Sequence, residues 1–136
     1  MKKFSLQSDI DEVVRRISDA AKDFSGKTVL LTGGRGFLGR YFMEVFNRLN
    51  LEVLEKPVKL LVLDNLITAG QEGSQIPEFD NIEFVQHDVI QPFEFTDKLD
   101  YVIHAAGIAS PFYYRAYPLE TLEVAITGTR NMLELA

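Results

Sequence analysis

The sequence predicts an α/β protein with a parallel sheet and helices on both faces. Short apolar runs typical of buried strands alternate with segments of helical periodicity, and a glycine cluster separates the first strand from the helix after it. About four strands can be placed, where a complete doubly wound sheet has six or so. We therefore expect an incomplete sheet of this type, preceded by an amphipathic helix.

Composition limits the possible classes of function. The 136 residues are 46% hydrophobic and 25% charged, which is typical of one globular core. A net charge of −6 without a basic run argues against nucleic-acid binding, and no stretch reaches the roughly 18 apolar residues that span a membrane. With no cysteine, no histidine–acid cluster at metal spacing and no export-type leader, we expect a cytoplasmic protein without a metal site.

Residues 8–24 have the pattern of an amphipathic helix, with apolar side chains on one face and charges on the other. Gly26 is a natural stop for this helix. The apolar face could pack on the flank of the same domain, or it could dock on a partner. We predict a helical extension at residues 1–25 and a nucleotide-binding domain at residues 26–136.

The glycine cluster has the spacing of a dinucleotide-binding loop. Two registers fit, Gly33-x-x-Gly36-x-x-Gly39 and Gly34-x-Gly36-x-x-Gly39, and both follow an apolar strand and open a helix. One glycine permits the turn, one lets the backbone approach a diphosphate, and one lets helix and strand pack closely. The phosphates would meet free N–H groups at the helix start, at Phe37 and Leu38. The alternative is a glycine-rich turn without a ligand.

The second strand ends at Asp64 and Asn65, where a βαβ unit places the carboxylate that binds the adenosine ribose. An acidic group there repels the 2′-phosphate of NADP, so Asp64 favours NAD. Arg35 in the glycine loop argues the other way, because a guanidinium could pair with that phosphate, although it could also pair with the diphosphate. We give Asp64 more weight, since Arg35 is long and could simply be solvated. Residues 67–79, which follow, are predicted to form a polar loop.

Together the motifs TGGRGFLG, LDN, HDV, HAAGIAS and TGTRNMLELA resemble the N-terminal part of the extended short-chain dehydrogenase/reductase family. Its members are NAD-dependent nucleotide-sugar epimerases, dehydratases and decarboxylases with a Rossmann-type sheet. The segment ASPFYYRAYPLETL is most similar to the UDP-glucuronate decarboxylase branch, followed by dTDP-glucose dehydratases. The resemblance covers residues 27–136 and implies NAD as the cofactor and a nucleotide sugar as the substrate.

The resemblance also implies roles for residues at later strand ends. Asp88 and Val89, after the third strand, would flank the adenine. Ala105 and Ala106, after the fourth, would lie along the cofactor, where small side chains allow close approach. The residues that would face the sugar are Ser110, Tyr114 and Arg115. The alternative for this last segment is a loop that packs its aromatic rings under the following helix.

The chain departs from the family pattern in two ways. Ala125 stands where the family's N-x-x-G-T motif has asparagine, and the Ser/Thr and Tyr-x-x-x-Lys that carry the family's catalysis are absent, so no catalytic residue is assigned. We expect a truncated, inactive cofactor half of a nucleotide-sugar enzyme. Alternatives are a non-catalytic dinucleotide-binding sensor or scaffold and, on glycine spacing alone, a flavin or methyl-donor site. An unpaired edge strand would favour a homo-oligomer.

Overall fold

Four parallel strands form one sheet in the order β3-β2-β1-β4. The computed structural model of the chain describes residues 6–68 and 78–136, so residues 1–5 and most of the predicted loop at 67–79 lie outside the described residues. The strands are β1 (Thr28–Thr32), β2 (Lys59–Asp64), β3 (Ile82–Gln86) and β4 (Tyr101–His104). This topology confirms the predicted Rossmann-type sheet.

Helices cover both faces of the sheet. They are α1 (Leu6–Ala21) with a 3-10 turn (Lys22–Phe24), α2 (Phe37–Glu52), α3 (Pro111–Ala116), α4 (Pro118–Glu123) and α5 (Thr129–Leu135), and a π-helical turn (Val124–Gly128) joins the last two. The predicted N-terminal helix is thus present and begins two residues earlier than expected. Gly26 follows it with a φ of 69°, as a helix-stopping glycine should.

The central strands are buried on both sides, which explains their continuous apolar runs. Val29 and Leu31 of β1 point towards α1 and α2, and Leu30 between them points towards α5. Because side chains alternate along a strand, one apolar run fills two separate cores. The side chains packed on the second face include Leu61, Leu63 and Met132.

Helix α1 packs on the flank of its own domain, which supports the first of the two alternatives for this helix. Its buried residues Ile10 and Val14 join the core that α2 forms with the sheet. Phe24, just after α1, makes an edge contact with the ring of Phe46 at a centroid distance of 5.3 Å. Across the two described ranges, no helix has both the length and the apolar character needed to cross a membrane.

Asp100 joins the first residues of the two neighbouring strands β1 and β4. Its Oδ2 accepts a hydrogen bond from the backbone N–H of Thr28 at 3.0 Å. Its Oδ1 lies 2.7 Å from Nζ of Lys98 and 3.6 Å from Nζ of Lys27. The hydrogen bonds from Lys98 and Thr28 lower the pKa of Asp100 from 3.8 to about 2. This contact lies at the end of the sheet opposite the strand ends discussed below.

We expect Asp100→Asn to lower the melting temperature at pH 7 by a few degrees, because the amide loses the charge that both lysines face. The folded-state pKa lies below the ordinary value of 3.8, so this stabilisation is present above pH 3.8 and disappears as the pH falls through about 2. Urea unfolding between pH 7 and pH 2 should show the two proteins converging in acid. The exposed Asp97→Asn is the control, and an equal loss in both variants would contradict the assignment.

Candidate functional site

The glycine loop turns sharply at the carboxyl end of β1. Gly33 adopts a φ of 73°, and a Cβ built there would come within 2.7 Å of the backbone of Ala105. Its N–H donates to the carbonyl of Leu63 at 2.8 Å, and its own carbonyl accepts from the N–H of Gly36 at 3.1 Å. Gly33 is therefore the turn glycine, because only glycine combines this φ with so close an approach to β4.

Two further glycines are required by packing. A Cβ on Gly39 would lie 2.2 Å from the carbonyl oxygen of Gly33, so α2 rests directly on the loop. A Cβ on Gly34 would lie 2.0 Å from Cγ1 of Val62, so the loop rests directly on β2. The structure thereby favours the register that begins at Gly33: Gly33 holds the turn position, Gly39 holds the packing position, and Gly34 is an additional packing position.

Gly36 leaves open space at the start of α2. It is the N-cap residue with a φ of −69° and a ψ of 174°, and its missing Cβ would meet only the carbonyl oxygen of Gly33, at 3.2 Å. The hydrogen-bond ladder of α2 begins with the N–H of Arg40, so the amides of Phe37 and Leu38 precede it. No acidic residue occupies the first turn. The positive end of the helix dipole can therefore receive an anion.

Asp64 fixes the geometry of the loop from the end of β2. Its Oδ2 accepts from the backbone N–H of Arg35 and its Oδ1 accepts from that of Leu66, both at 2.7 Å. Each carboxylate oxygen keeps a further lone pair, so the group can also accept from a ribose hydroxyl. The carboxylate predicted to bind ribose is thus also the structural link between the glycine loop and β2.

Arg35 is buried, with only 7% of its surface exposed, so it is not simply solvated, which was one of the alternatives for this residue. Burial and the neighbouring charge of Arg40 lower the pKa of its guanidinium, and the negative charge of Asp64 raises it. An arginine keeps its proton under these conditions, so the loop carries a permanent positive charge next to Asp64.

A polar network links the ends of β1 and β4 and was not anticipated from the sequence. The hydroxyl of Thr32, which is fully buried, lies 2.7 Å from Nδ1 of His104 and accepts from the N–H of Ala106 at 3.1 Å. Burial lowers the pKa of His104 and so favours the neutral ring. In that form Nδ1 can accept a hydrogen bond from the Thr32 hydroxyl. The signal for this network was the threonine that ends the apolar run of β1, since a buried hydroxyl needs a partner.

The residues after β3 form the far wall of the site. The Nδ2 of Asn65 donates to Oδ2 of Asp88 at 3.1 Å, which ties the ends of β2 and β3 together. Val89 is 3% exposed, and its carbonyl accepts from Nδ2 of Asn131 in α5 at 2.8 Å. The backbone of Gly128 lies against Val89, since a Cβ there would come within 2.8 Å of Cγ2. Helix α5 therefore holds the segment predicted to flank an adenine.

These elements enclose a cleft at the carboxyl ends of the strands, with a volume of about 480 Å³ including the part open to solvent. Such a position is where open α/β sheets bind ligands. Most residues predicted to bind the cofactor line it: Gly33, Gly36, Asp64, Asn65, Val89, Ala105 and Ala106. The other residues that line it are Leu63, Ile67, Thr68, His87, Gly107, Ile108 and Val124.

Several predicted residues do not line this cleft. The side chains of Phe37 and Leu38 are 76% and 60% exposed, and Gly39 and Asp88 lie beside the cleft. The residues predicted to face a sugar, Ser110, Tyr114 and Arg115, are exposed and lie at the start of α3 and within it. Neither sequence alternative anticipated a helix here, although Pro111 stands at its start, where proline is favourable.

The part of the chain that the structure describes contains no group of three or more His, Cys, Asp or Glu side chains that could hold a metal ion. Ala125, at the family's asparagine position, lies exposed in the π-helical turn, and the adjacent Val124 lines the cleft instead.

Sequence comparison identifies relatives of this chain among known proteins. The chain is 32% identical over 113 residues to UDP-glucuronic acid decarboxylase 2 of Arabidopsis thaliana, covering 82% of the chain and 23% of that relative. It is 34% identical over 116 residues to UDP-glucuronic acid decarboxylase 6 of the same plant, covering 82% of the chain and 31% of the relative. The chain thus spans about a quarter to a third of the length of these relatives.

A solved structure of UDP-N-acetylglucosamine 4-epimerase from Methanobrevibacter ruminantium M1, in complex with UDP-N-acetylmuramic acid, superposes with a TM-score of 0.56. The two chains are 24% identical in sequence, and the superposition covers 81% of this chain and 34% of the epimerase. Because the identity is this low, the similarity supports the fold alone. The model of the NAD dependent epimerase/dehydratase family matches residues 29–136. The chain therefore belongs to the NAD dependent epimerase/dehydratase family, which confirms NAD as the predicted cofactor.

Proposed function

We propose that the cleft binds NAD with its diphosphate at the start of α2, and that the chain is the cofactor-binding part of a nucleotide-sugar epimerase, dehydratase or decarboxylase. The observation that carries this proposal is the geometry at Gly36, where a helix N-terminus without an acidic first turn meets space that a side chain would fill. That combination fits a diphosphate, because it offers free N–H groups and allows close backbone approach.

The residues around the cleft have complementary tasks in this proposal. Asp64 accepts from the adenosine ribose, Val89 packs against the adenine, and Ala105 and Ala106 leave room for the rest of the dinucleotide. The network from His104 through the Thr32 hydroxyl holds the N–H of Ala106 in place. Bound NAD supplies the hydride acceptor that this class of enzyme uses. The chain's own residues bind and orient that group.

Asp64 also underlies the proposed preference for NAD over NADP. A 2′-phosphate would bring negative charge next to this carboxylate, and the repulsion disfavours binding. The buried cation of Arg35 lies on the same side, but it is already electrostatically coupled to Asp64. This coupling leaves the guanidinium less available to pair with a 2′-phosphate, so the proposed preference for NAD stands.

For the whole protein we propose a UDP-sugar substrate of the UDP-glucuronate type, since the relatives named above are UDP-glucuronic acid decarboxylases. The exposed segment with Ser110, Tyr114 and Arg115 is the proposed sugar-facing surface. None of the tyrosines in the 136 residues is followed four positions later by lysine. We therefore propose that this chain binds the cofactor but does not catalyse the reaction by itself.

A second candidate is a dinucleotide-binding module without catalysis, which would act as a sensor or scaffold. The observation that favours it is Ala125, because a methyl group cannot replace the polar contacts of the family's asparagine.

Three further expectations stay predictions. They are the domain division at residue 25, the homo-oligomer and the cytoplasmic location.

Gly36→Ala tests the diphosphate site directly. The backbone at Gly36 suits any residue, and the new methyl would press only on the Gly33 carbonyl, so we expect nearly unchanged thermal unfolding. The methyl occupies the space proposed for the diphosphate, so NAD affinity measured by calorimetry should fall roughly tenfold or more. Adenosine, which lacks the diphosphate, is the matched control ligand. An unchanged NAD affinity in the folded variant would contradict the proposed site.

Asp64→Ala tests the ribose assignment separately from the loop. Loss of the carboxylate frees the amides of Arg35 and Leu66, which should weaken NAD and NADP alike. The variant also loses the ribose contact, which weakens NAD binding, and the repulsion of the 2′-phosphate, which had disfavoured NADP. We therefore expect NAD binding to weaken roughly tenfold and NADP binding to weaken less. Both affinities are measured by titration calorimetry. Equal weakening of NAD and NADP binding would contradict the ribose contact and show that Asp64 acts only by holding the loop.

The chain on its own should not convert UDP-glucuronate in the presence of NAD, because the catalytic tyrosine and lysine are missing from it. Chromatography of the sugar nucleotides after a long incubation should show no product above a protein-free control. Turnover by a pure sample, lost in the Gly36→Ala variant, would instead place the catalytic groups within these 136 residues.

A further inference from the structure

The helix before the sheet contacts the helix that opens at the glycine loop. The family match begins at residue 29, so α1 lies outside the matched region. Yet α1 buries Ile10 and Val14, which are 2% and 6% exposed, in the core that α2 shares with the sheet. The position of α2 therefore depends on a segment that precedes the nucleotide-binding fold.

Two polar contacts join the helices at different distances from the loop. Near the start of α2, the hydroxyl of Tyr41 donates to Oδ2 of Asp9 at 3.0 Å. Farther along, Nη1 of Arg48 lies 2.7 Å from Oδ1 of Asp11. The first contact is one turn into α2, and the second is about two turns farther on. The helix pair thus offers one contact close to the glycine loop and a comparable one remote from it.

The near contact continues to the first residue of α2. The ring of Phe37 lies over that of Tyr41, with centroids 5.3 Å apart and planes tilted by 56°. Phe37 directly follows Gly36, and its amide is one of those proposed to meet the diphosphate. Its ring is 76% exposed. Within the described residues, Phe37 makes one ring contact, and its partner is Tyr41.

The first turn of a helix is where its backbone is least restrained, because the first N–H groups have no partners within the helix. A ligand that binds these groups must order them, and ordering reduces affinity. A side chain anchored one turn farther in limits how far the first turn can move. The hydrogen bond to Asp9 also raises the pKa of Tyr41, which keeps the phenol protonated as a donor.

We infer that Asp9 and Tyr41 are positioning residues for the cofactor site: α1, through Asp9, Tyr41 and Phe37, holds the amides at the start of α2 in the arrangement that binds the diphosphate. This inference rests on the proposed binding of NAD at that helix start.

A double-mutant cycle on the full chain tests this inference, with NAD affinity measured by calorimetry and folding monitored by circular dichroism. Tyr41→Phe removes the hydroxyl and keeps the ring, and Asp9→Ala removes the acceptor. Each should weaken NAD binding about three- to tenfold while the protein stays folded. The double variant should bind NAD no more weakly than either single variant, because both changes remove the same contact.

Asp11→Ala is the matched control, since it removes a carboxylate from the same helix and breaks the remote contact with Arg48. It should lower the melting temperature but leave NAD affinity within about twofold. Equal loss of affinity in the Asp9 and Asp11 variants, or unchanged affinity in folded Tyr41→Phe, would overturn the inference. Failure of the unmodified chain to bind NAD would instead refute the proposed function, which keeps the two failures distinct.

Discussion

The close approach of the glycine loop to the strand ends is the constraint on which the rest of the structure depends. The loop touches β4 through Gly33, β2 through Gly34 and α2 through Gly39, and at each point a single methyl group would collide with its neighbour. Only because these contacts are so short does α2 begin directly above the ends of the strands. Asp64 then closes the loop with two backbone hydrogen bonds, so one side chain both shapes the site and faces it.

Local patterns were sufficient to predict the four strands and the helices α1 and α2. Strand β1 and helix α2 follow from short-range periodicity, and the end of β2 marks Asp64 without knowledge of its neighbours. Spacing could not decide between Gly33 and Gly34, because both registers satisfy the same motif. The deciding fact is the φ of 73° at Gly33, which depends on how tightly the chain must turn against β4.

The contacts that escaped prediction join residues far apart in the chain. Thr32 and His104 meet because β1 and β4 are neighbours, and a strand order cannot be read from one strand at a time. The burial of Arg35 likewise reflects the packing of the loop, since its sequence neighbours are glycines that reveal nothing about exposure. Periodicity also gave no sign of the extra residue in the π-helical turn, because the flanking segments both have helical spacing.

That turn at Val124–Gly128 sets the phase between the two halves of the last helix. Val124 and Gly128 both face inward, and Met132 continues the series into the second core. Because a π-helical turn holds about one residue more than an α-helical turn, removing one residue here would restore α-helical spacing and keep Met132 near the sheet. The same loss within the regular α-helical segments on either side would turn the following residues by about 100° and exchange interior for surface, so a change of length is tolerated best at the π-helical turn.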